Sequence, residues 1–325
     1  MGTLVLKSNL AAHIDGFITY KRAIGYRYDV GAAILKRFDE FCFKYHQDEE
    51  VLSREIVYHW AERTTWECDG TRAIRIVPIR QFARYLNSQG LEAYVFPDRM
   101  FPTGGRNIPY IFSDKELAAP FSAADQCHKQ KTGSVRHLVM PLLFKILYCC
   151  GIRLSEATTL KRRHVDLRTG VLTIQSGKYN KDRLVPMASD LTEECKKFDA
   201  VVHSGAGTDT YFLRGRSDGQ PIHRATVYGN FRIFLWNAGI SHGGKGRGPR
   251  VHDLRHTFAV HCLRRWVEQG KDLSAYIPVL KTYLGHSSFH ETAYYLRLTA
   301  DLYPSITKCV EQAMGQLLPP IGGLQ

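Results

Sequence analysis

The stretch VLTIQSGKYNKDRLVPM, residues 171–187, contains two short extended runs, VLTIQ and RLVPM, around a polar, glycine-bearing turn, SGKYNKD. Apolar residues dominate each run and the turn carries the breakers, so the unit reads as a β-hairpin. It stands almost alone. TYFL at 210–213 is the one further extended candidate, and the rest of the chain repeats its apolar residues at helical spacing. The expected fold class is therefore mainly α with a small β-sheet, an α+β domain around this hairpin.

Working outward from the hairpin, MPLLFKILYCCGIRLSEATTL (140–160) reads as a core helix, and Ser113 with Glu116 three residues on reads as a capped helix start. Downstream, 223–239, 252–268, 274–283 and 305–318 are further helix candidates. At the other end of the chain, Leu10, Ile14, Phe17 and Ile18 share one helical face, as do Ile34, Leu35, Phe38, Phe41, Cys42 and Tyr45. Ser53 is placed to cap REIVYHWAER, and 71–90 reads as a long helix ended by Gly90, with Pro78 expected to kink it or delay its start. PDRMFPTGGRNIP (97–109) has three prolines, two glycines and no periodic pattern. The expected division is a helical domain over 1–100, a linker over 101–112 and a larger domain over 113–325.

At 325 residues the chain can bury two cores. Hydrophobic residues at 44% and charged residues at 23% are ordinary, but the net charge of +13 is high. That charge is uneven: residues 1–110 carry a net +2 and residues 111–325 a net +11. A field of this sign attracts nucleic acid or an anionic surface. No run of apolar residues approaches the length of a membrane span, so no membrane role is expected. The eight cysteines form no CxxC pair, which argues against a zinc ribbon or redox dithiol and for reduced, mostly buried thiols.

The basic half also holds a set of residues suited to one chemistry. Arg153 lies in GIRLSE, Lys178 in SGKYNKD, His252 and Arg255 in HDLRH, His286 in LGHSS, and Tyr294 and Tyr295 in TAYYLRLT. Two arginines, a lysine and two histidines can donate to a phosphate, and a tyrosine can attack it. No paired carboxylates accompany them, so chemistry on an anion with no metal and no cofactor is expected. Each residue alone has a plainer reading. Arg153 could simply pair with Glu156, three residues on. His252 and His256 stand an i,i+4 step apart but lack the glutamate of HExxH, so HDLRH could be a solvated basic helix. Lys178 would ordinarily be a solvated turn lysine, and the two tyrosines core residues.

Taken together and in this order, the motifs resemble those of the tyrosine recombinases, the phage-type integrases and their Xer-like relatives. The resemblance covers residue 113 to the end and extends more weakly over the helical N-terminal half. It implies a core-binding domain and a catalytic domain that form a C-clamp on DNA. GIRLSE implies Arg153, SGKYNKDRLVP implies Lys178, HDLRHTFA implies His252 and Arg255, and YLGHSSFHETAYY implies His286 and, by its spacing, Tyr295 as nucleophile. On that resemblance the chain is a site-specific DNA recombinase working through a 3′-phosphotyrosyl ester and a Holliday junction. His252 is then the expected base and Lys178 the acid for the leaving oxygen. Lys181, Arg183, Lys245, Arg247 and Arg250 are expected DNA contacts. Double-stranded recombination sites, a homotetramer on paired sites, a tail helix exchanged between subunits, accessory recombinase or host factors and a cytoplasmic, nucleoid-associated location also follow from it. A type IB topoisomerase-like nicking-closing enzyme and a non-catalytic DNA-binding module are the competing expectations.

Overall fold

The computed structural model describes residues 5–65, 67–98, 100–101, 108–129, 134–175, 182–215, 220–244 and 247–298. Two compact units, 1–107 and 108–325, divide the chain.

In the first unit, α1 (Ala11–Ala23), α2 (Asp29–Tyr45), α3 (Arg54–Ala61) and α4 (Asp69–Ser88) enclose one core. Their apolar faces meet as the periodicity requires: Ile14, Phe17, Ile18, Leu35, Phe38, Phe82 and Leu86 are all buried. The Phe17 and Phe82 ring centroids are 5.7 Å apart. Ser53 caps α3 by accepting from the Ile56 N–H at 3.3 Å. The buried Asp39 accepts from the backbone N–H groups of Lys7 and Ser8, which ties the start of the chain to α2. Pro78 does not delay the start of the helix, because α4 runs from Asp69 to Ser88 with the proline inside it. Ile76, Pro78, Ile79 and Phe82 are all buried, so packing on both sides of the proline holds the helix through its missing N–H.

The second unit begins with α5 (Asp114–Asp125), where Ser113 and Glu116 complete a reciprocal capping box. The central helix α6 (Arg136–Cys149) buries seven side chains, among them Val139, Leu143, Phe144 and Leu147. α7 (Leu154–Thr159) follows, and then an antiparallel sheet of β1 (Val165–Asp166), β2 (Val171–Ile174) and β3 (Arg183–Pro186) in that order. Leu172 pairs with Val185 and Ile174 with Arg183, so Leu172, Ile174 and Val185 point into the core. The hairpin is therefore where the sequence put it. The third strand is Val165–Asp166 rather than 210–213, where Tyr211 makes an isolated bridge to Lys161 and Phe212 N–H donates to Leu160 O.

α8 (Ser189–Val202) lies against α6, α9 (Arg224–Asn237) against α5, and α10 (Asp253–Glu268) against α6. Phe144 of α6 meets Phe231 and Phe234 of α9 at 5.5 and 5.7 Å. α11 (Leu273–Leu284), α12 (Phe289–Ala293) and a 3-10 turn (Tyr294–Leu298) complete the described chain. Leu263, Leu280, Leu284 and Tyr295 share a second apolar cluster here. No helix among the described residues is long and apolar enough to cross a membrane. The seven described cysteines are free thiols. Only Cys42, Cys150 and Cys195 are buried, so the thiols are not mostly buried as expected. The tail helix expected at 305–318 lies outside the described residues.

Candidate active site

Local sequence brings the site together at helix ends. Gly151, just after α6, adopts φ 56° so that the chain can turn directly into α7, and a Cβ there would come within 2.4 Å of the Phe258 ring. That turn delivers Arg153 to the start of α7, where the Glu156 carboxylate accepts its backbone N–H at 2.8 Å and its Nη1 at 2.9 Å. Arg153 Nη2 donates to Gly285 O at 3.2 Å. Gly285 ends α11 in the left-handed region, φ 67°, where a Cβ would press on the Arg183 side chain at 3.0 Å.

Arg255, in the first turns of α10, is 2% exposed. Its Nη1 donates to Gly151 O at 2.6 Å and its Nη2 to Leu284 O at 2.7 Å, so one guanidinium joins the start of α7 to the end of α11. Burial, reinforced by the Arg153 charge, lowers its pKa to about 10, which leaves it protonated at neutral pH. Because these partners are carbonyls rather than a carboxylate, much of its charge remains to attract an anion.

Tyr295 is 2% exposed, and its Oη lies 3.1 Å from His256 Nδ1. Burial raises its pKa, while Arg255 and Arg153 pull it down. The His286 ring lies nearly parallel to the Tyr295 ring at 5.9 Å, and His286 Nδ1 is 2.8 Å from Thr292 Oγ1. His252 is exposed at the rim, and its ring meets that of His256 edge-on at 4.7 Å. Desolvation by the surrounding protein and the Arg255 charge hold His252 below the usual histidine range. Arg153, His252, Arg255, His286 and Tyr295 thus come together. Lys178 lies outside the described residues.

Of the expected DNA contacts, Lys181 and Lys245 also lie outside the described residues. Arg247 is exposed in the loop before α10. Arg250 keeps 40% of its side chain exposed while clasping the buried Asp253 at 2.9 Å. Arg183 is a correction. Its side chain is 8% exposed, its Nη1 and Nη2 donate to Glu156 at 3.0 and 2.7 Å, and its Nε donates to Tyr283 O at 2.9 Å. A guanidinium so occupied braces Glu156 and does not stand free at the surface. The register explains it, since pairing with Ile174 places Arg183 at the start of β3 beneath the end of α11.

Two contributors were not singled out from sequence for the site. Glu156 was read only as a possible partner of Arg153, yet it is the shared acceptor of two arginines, 27 residues apart in the case of Arg183. Its burial would raise its pKa, but hydrogen bonds from Arg183 and Arg153 outweigh that and hold it at about 2. His256 was weighed only as a zinc ligand. The signal was its place one residue after Arg255, which the spacing could not connect to Tyr295. Among the described residues no group of three or more His, Cys, Asp or Glu side chains is arranged to hold a metal ion.

Comparison with known proteins bears on this arrangement. The phage integrase family matches residues 116–301. A protein of Sinorhizobium fredii, named "Putative integrase/recombinase y4rB", is 30% identical over 308 residues, 92% of this chain and 96% of its own. Among solved structures, the XerH site-specific recombinase bound to palindromic difH substrate in a post-cleavage complex shares the fold. Its TM-score is 0.59 at 18% identity, covering 88% of this chain and 79% of that one. A lambda integrase tetramer bound to a Holliday junction shares it at a TM-score of 0.58 and 14% identity, over 86% and 77%. The helical fold with its small antiparallel sheet, the family match over more than half of the chain and the near full-length relative agree, and the chain belongs to the phage integrase family of tyrosine recombinases.

Proposed function

We propose that this recombinase cuts and rejoins double-stranded DNA at paired sites through an ester between Tyr295 and a DNA 3′ phosphate. The observation that carries this reading is the Tyr295 hydroxyl set against His256 in a buried cluster that also holds Arg153 and Arg255. In the first step the Tyr295 Oη–phosphorus bond forms and the phosphorus–O5′ bond breaks, releasing a 5′-hydroxyl. In the second, the 5′-hydroxyl of the partner strand attacks, and Tyr295 leaves with its proton restored. Bond energy is conserved in the ester, so no nucleotide cofactor is needed.

Arg153 and Arg255 bind the non-bridging oxygens and offset charge developing at phosphorus. His286, whose Nδ1 lies 2.8 Å from Thr292 Oγ1, supplies a further phosphate contact. Because Tyr295 is 2% exposed, an approach to Oη has to open when DNA arrives. Residues 1–100 serve as the core-binding domain, and Arg247 and Arg250 follow the DNA backbone. The working assembly is a tetramer on two sites, with the chain's C-terminal segment exchanged between subunits, in a cytoplasmic, nucleoid-associated setting. Its test is a plasmid assay. Two-site DNA exchanges flanking sequence, whereas relaxation of single-site supercoiled DNA without exchange would replace this reading with a nicking-closing enzyme.

Lys178 protonates the leaving 5′-oxygen in this scheme, since a lysine ammonium can give up its proton where an arginine cannot. Lys178→Ala binds DNA normally and cleaves about 100- to 10,000-fold more slowly, the usual contribution of a general acid. Sulfur in place of the bridging 5′-oxygen hardly needs a proton to leave, so it restores cleavage in Lys178→Ala and not in Arg153→Ala. Rescue of Lys181→Ala instead would move the role to that lysine.

A further inference from the structure

The proton that Tyr295 must lose needs an acceptor, and the expected one, His252, is not the histidine beside it. Tyr295 Oη lies 3.1 Å from His256 Nδ1, within hydrogen-bond reach. His252 is the more exposed of the two and meets His256 edge-on at 4.7 Å. We propose that His256 takes the Tyr295 proton as the Oη–phosphorus bond forms, an assignment that rests on Tyr295 being the nucleophile.

Three observations carry it. First, His256 sits on a fixed part of α10: its neighbour Arg255 is tied to Gly151 O and Leu284 O, so the histidine is held in place relative to the phosphate-binding arginine. Second, its lone pair is available. Burial, with His252 and Arg250 from the segment before α10, Arg255 beside it and His286 from the loop after α11, pushes its pKa down to about 3. The ring is therefore neutral, and in the tautomer protonated on Nε2 its Nδ1 can accept from Tyr295. Third, one of the cations that depress its basicity, Arg255, is placed to meet the scissile phosphate. An arriving phosphodiester anion offsets Arg255 and raises the proton affinity of His256 when the transfer is required. Glu291 of α12 raises the Tyr295 pKa and so opposes its ionisation.

The step balances. The Oη–H bond breaks and its proton passes to Nδ1; the freed Oη electron pair bonds phosphorus; the phosphorus–O5′ pair leaves with the 5′-oxygen, which takes its proton from the acid on the opposite side. In the rejoining step the same proton returns to Oη as Tyr295 departs.

The experiment compares adduct formation by the full-length protein and its variants on a nicked duplex carrying the cleavage site mapped for the unmodified protein. Asparagine presents a hydrogen-bond acceptor in place of Nδ1 but cannot take up a proton. His256→Asn is expected to bind DNA as before and form the adduct about 100- to 10,000-fold more slowly at neutral pH. Its rate should then climb about tenfold per pH unit as hydroxide replaces the missing base. His256→Ala should be rescued by added imidazole. A His256→Asn variant that cleaves at the unmodified rate, or faster, overturns the proposal, the second outcome making the bond a latch on the resting tyrosine. So does a folded His256→Ala that imidazole does not rescue. Tyr295→Phe, run beside them, separates the two levels: an adduct persisting in Tyr295→Phe removes the nucleophile assignment itself, whereas its loss with His256→Asn unimpaired removes only the base.

Discussion

Tyr295→Phe is expected to form no covalent adduct with DNA yet to bind it with nearly unchanged affinity, whereas Tyr294→Phe should still form the adduct. The two tyrosines are adjacent, with ring centroids 6.3 Å apart, but their surroundings differ. Tyr295 is 2% exposed, packed with Leu263, Leu280 and Leu284, and its hydroxyl meets His256 in the field of two arginines. Tyr294 is half-buried one position earlier in the same 3-10 turn. Loss of an enzyme's only nucleophile costs on the order of 10⁶-fold in rate. The lost hydroxyl forgoes its hydrogen bonds with His256 and Arg255, on the order of 1–3 kcal/mol of stability, so the variant remains folded. Denaturing gels of protein and DNA after incubation read the result, and adduct loss in Tyr294→Phe alone would reverse the assignment.

Glu156→Gln is expected to damage stability and cleavage together. The carboxylate is 6% exposed and accepts from Arg153 and from both terminal nitrogens of Arg183. Its removal leaves two guanidiniums in a partly dry site without their counter-charge, which costs about 3–5 kcal/mol. It also releases Arg153 from the geometry in which it would meet phosphate. The pH dependence follows from the sign of the shift. Glu156 has a depressed folded pKa, about 2, against an unfolded value near 4.3. Its contribution, about 3 kcal/mol, is therefore full above pH ~4.3 and lost as pH falls through about 2. Thermal melts of the unmodified protein between pH 5 and 2 should show a steeper fall in Tm than melts of Glu156→Gln. Parallel curves would mean that the carboxylate does not carry this linkage.

The hairpin and the two units show how far local pattern reaches. Alternating apolar residues at 171–175 and 183–187 met a core on one side, and the four N-terminal helices follow faces that one period reveals. Ser53 and Ser113 announced helix starts because capping is decided within three residues. Pro78 left the helix start open for the same reason in reverse: its local penalty is real, but the helix begins nine residues before it, and the burial of this stretch is not written near it. The site divides similarly. Arg153, His252, Arg255, His286 and Tyr295 were legible through motif resemblance, and the structure gathers them. Arg183 was not, because its charge suggested an exposed DNA contact while its partner Glu156 comes from a helix before the sheet. His256 was visible as a residue and invisible as a neighbour of Tyr295, since the two stand 39 positions apart in the chain.

The central claim is a bond between Tyr295 and DNA, and it can be observed as such. The unmodified protein is trapped on a nicked duplex that loses its 5′-hydroxyl fragment on cleavage, then digested with protease and nuclease, and the nucleotide-bearing peptide is sequenced by mass spectrometry. The account predicts one modified peptide, with a 3′-linked nucleotide phosphate on the Tyr295 oxygen. A nucleotide joined through its 5′ phosphate, or carried by Tyr294 or any other residue, would contradict it.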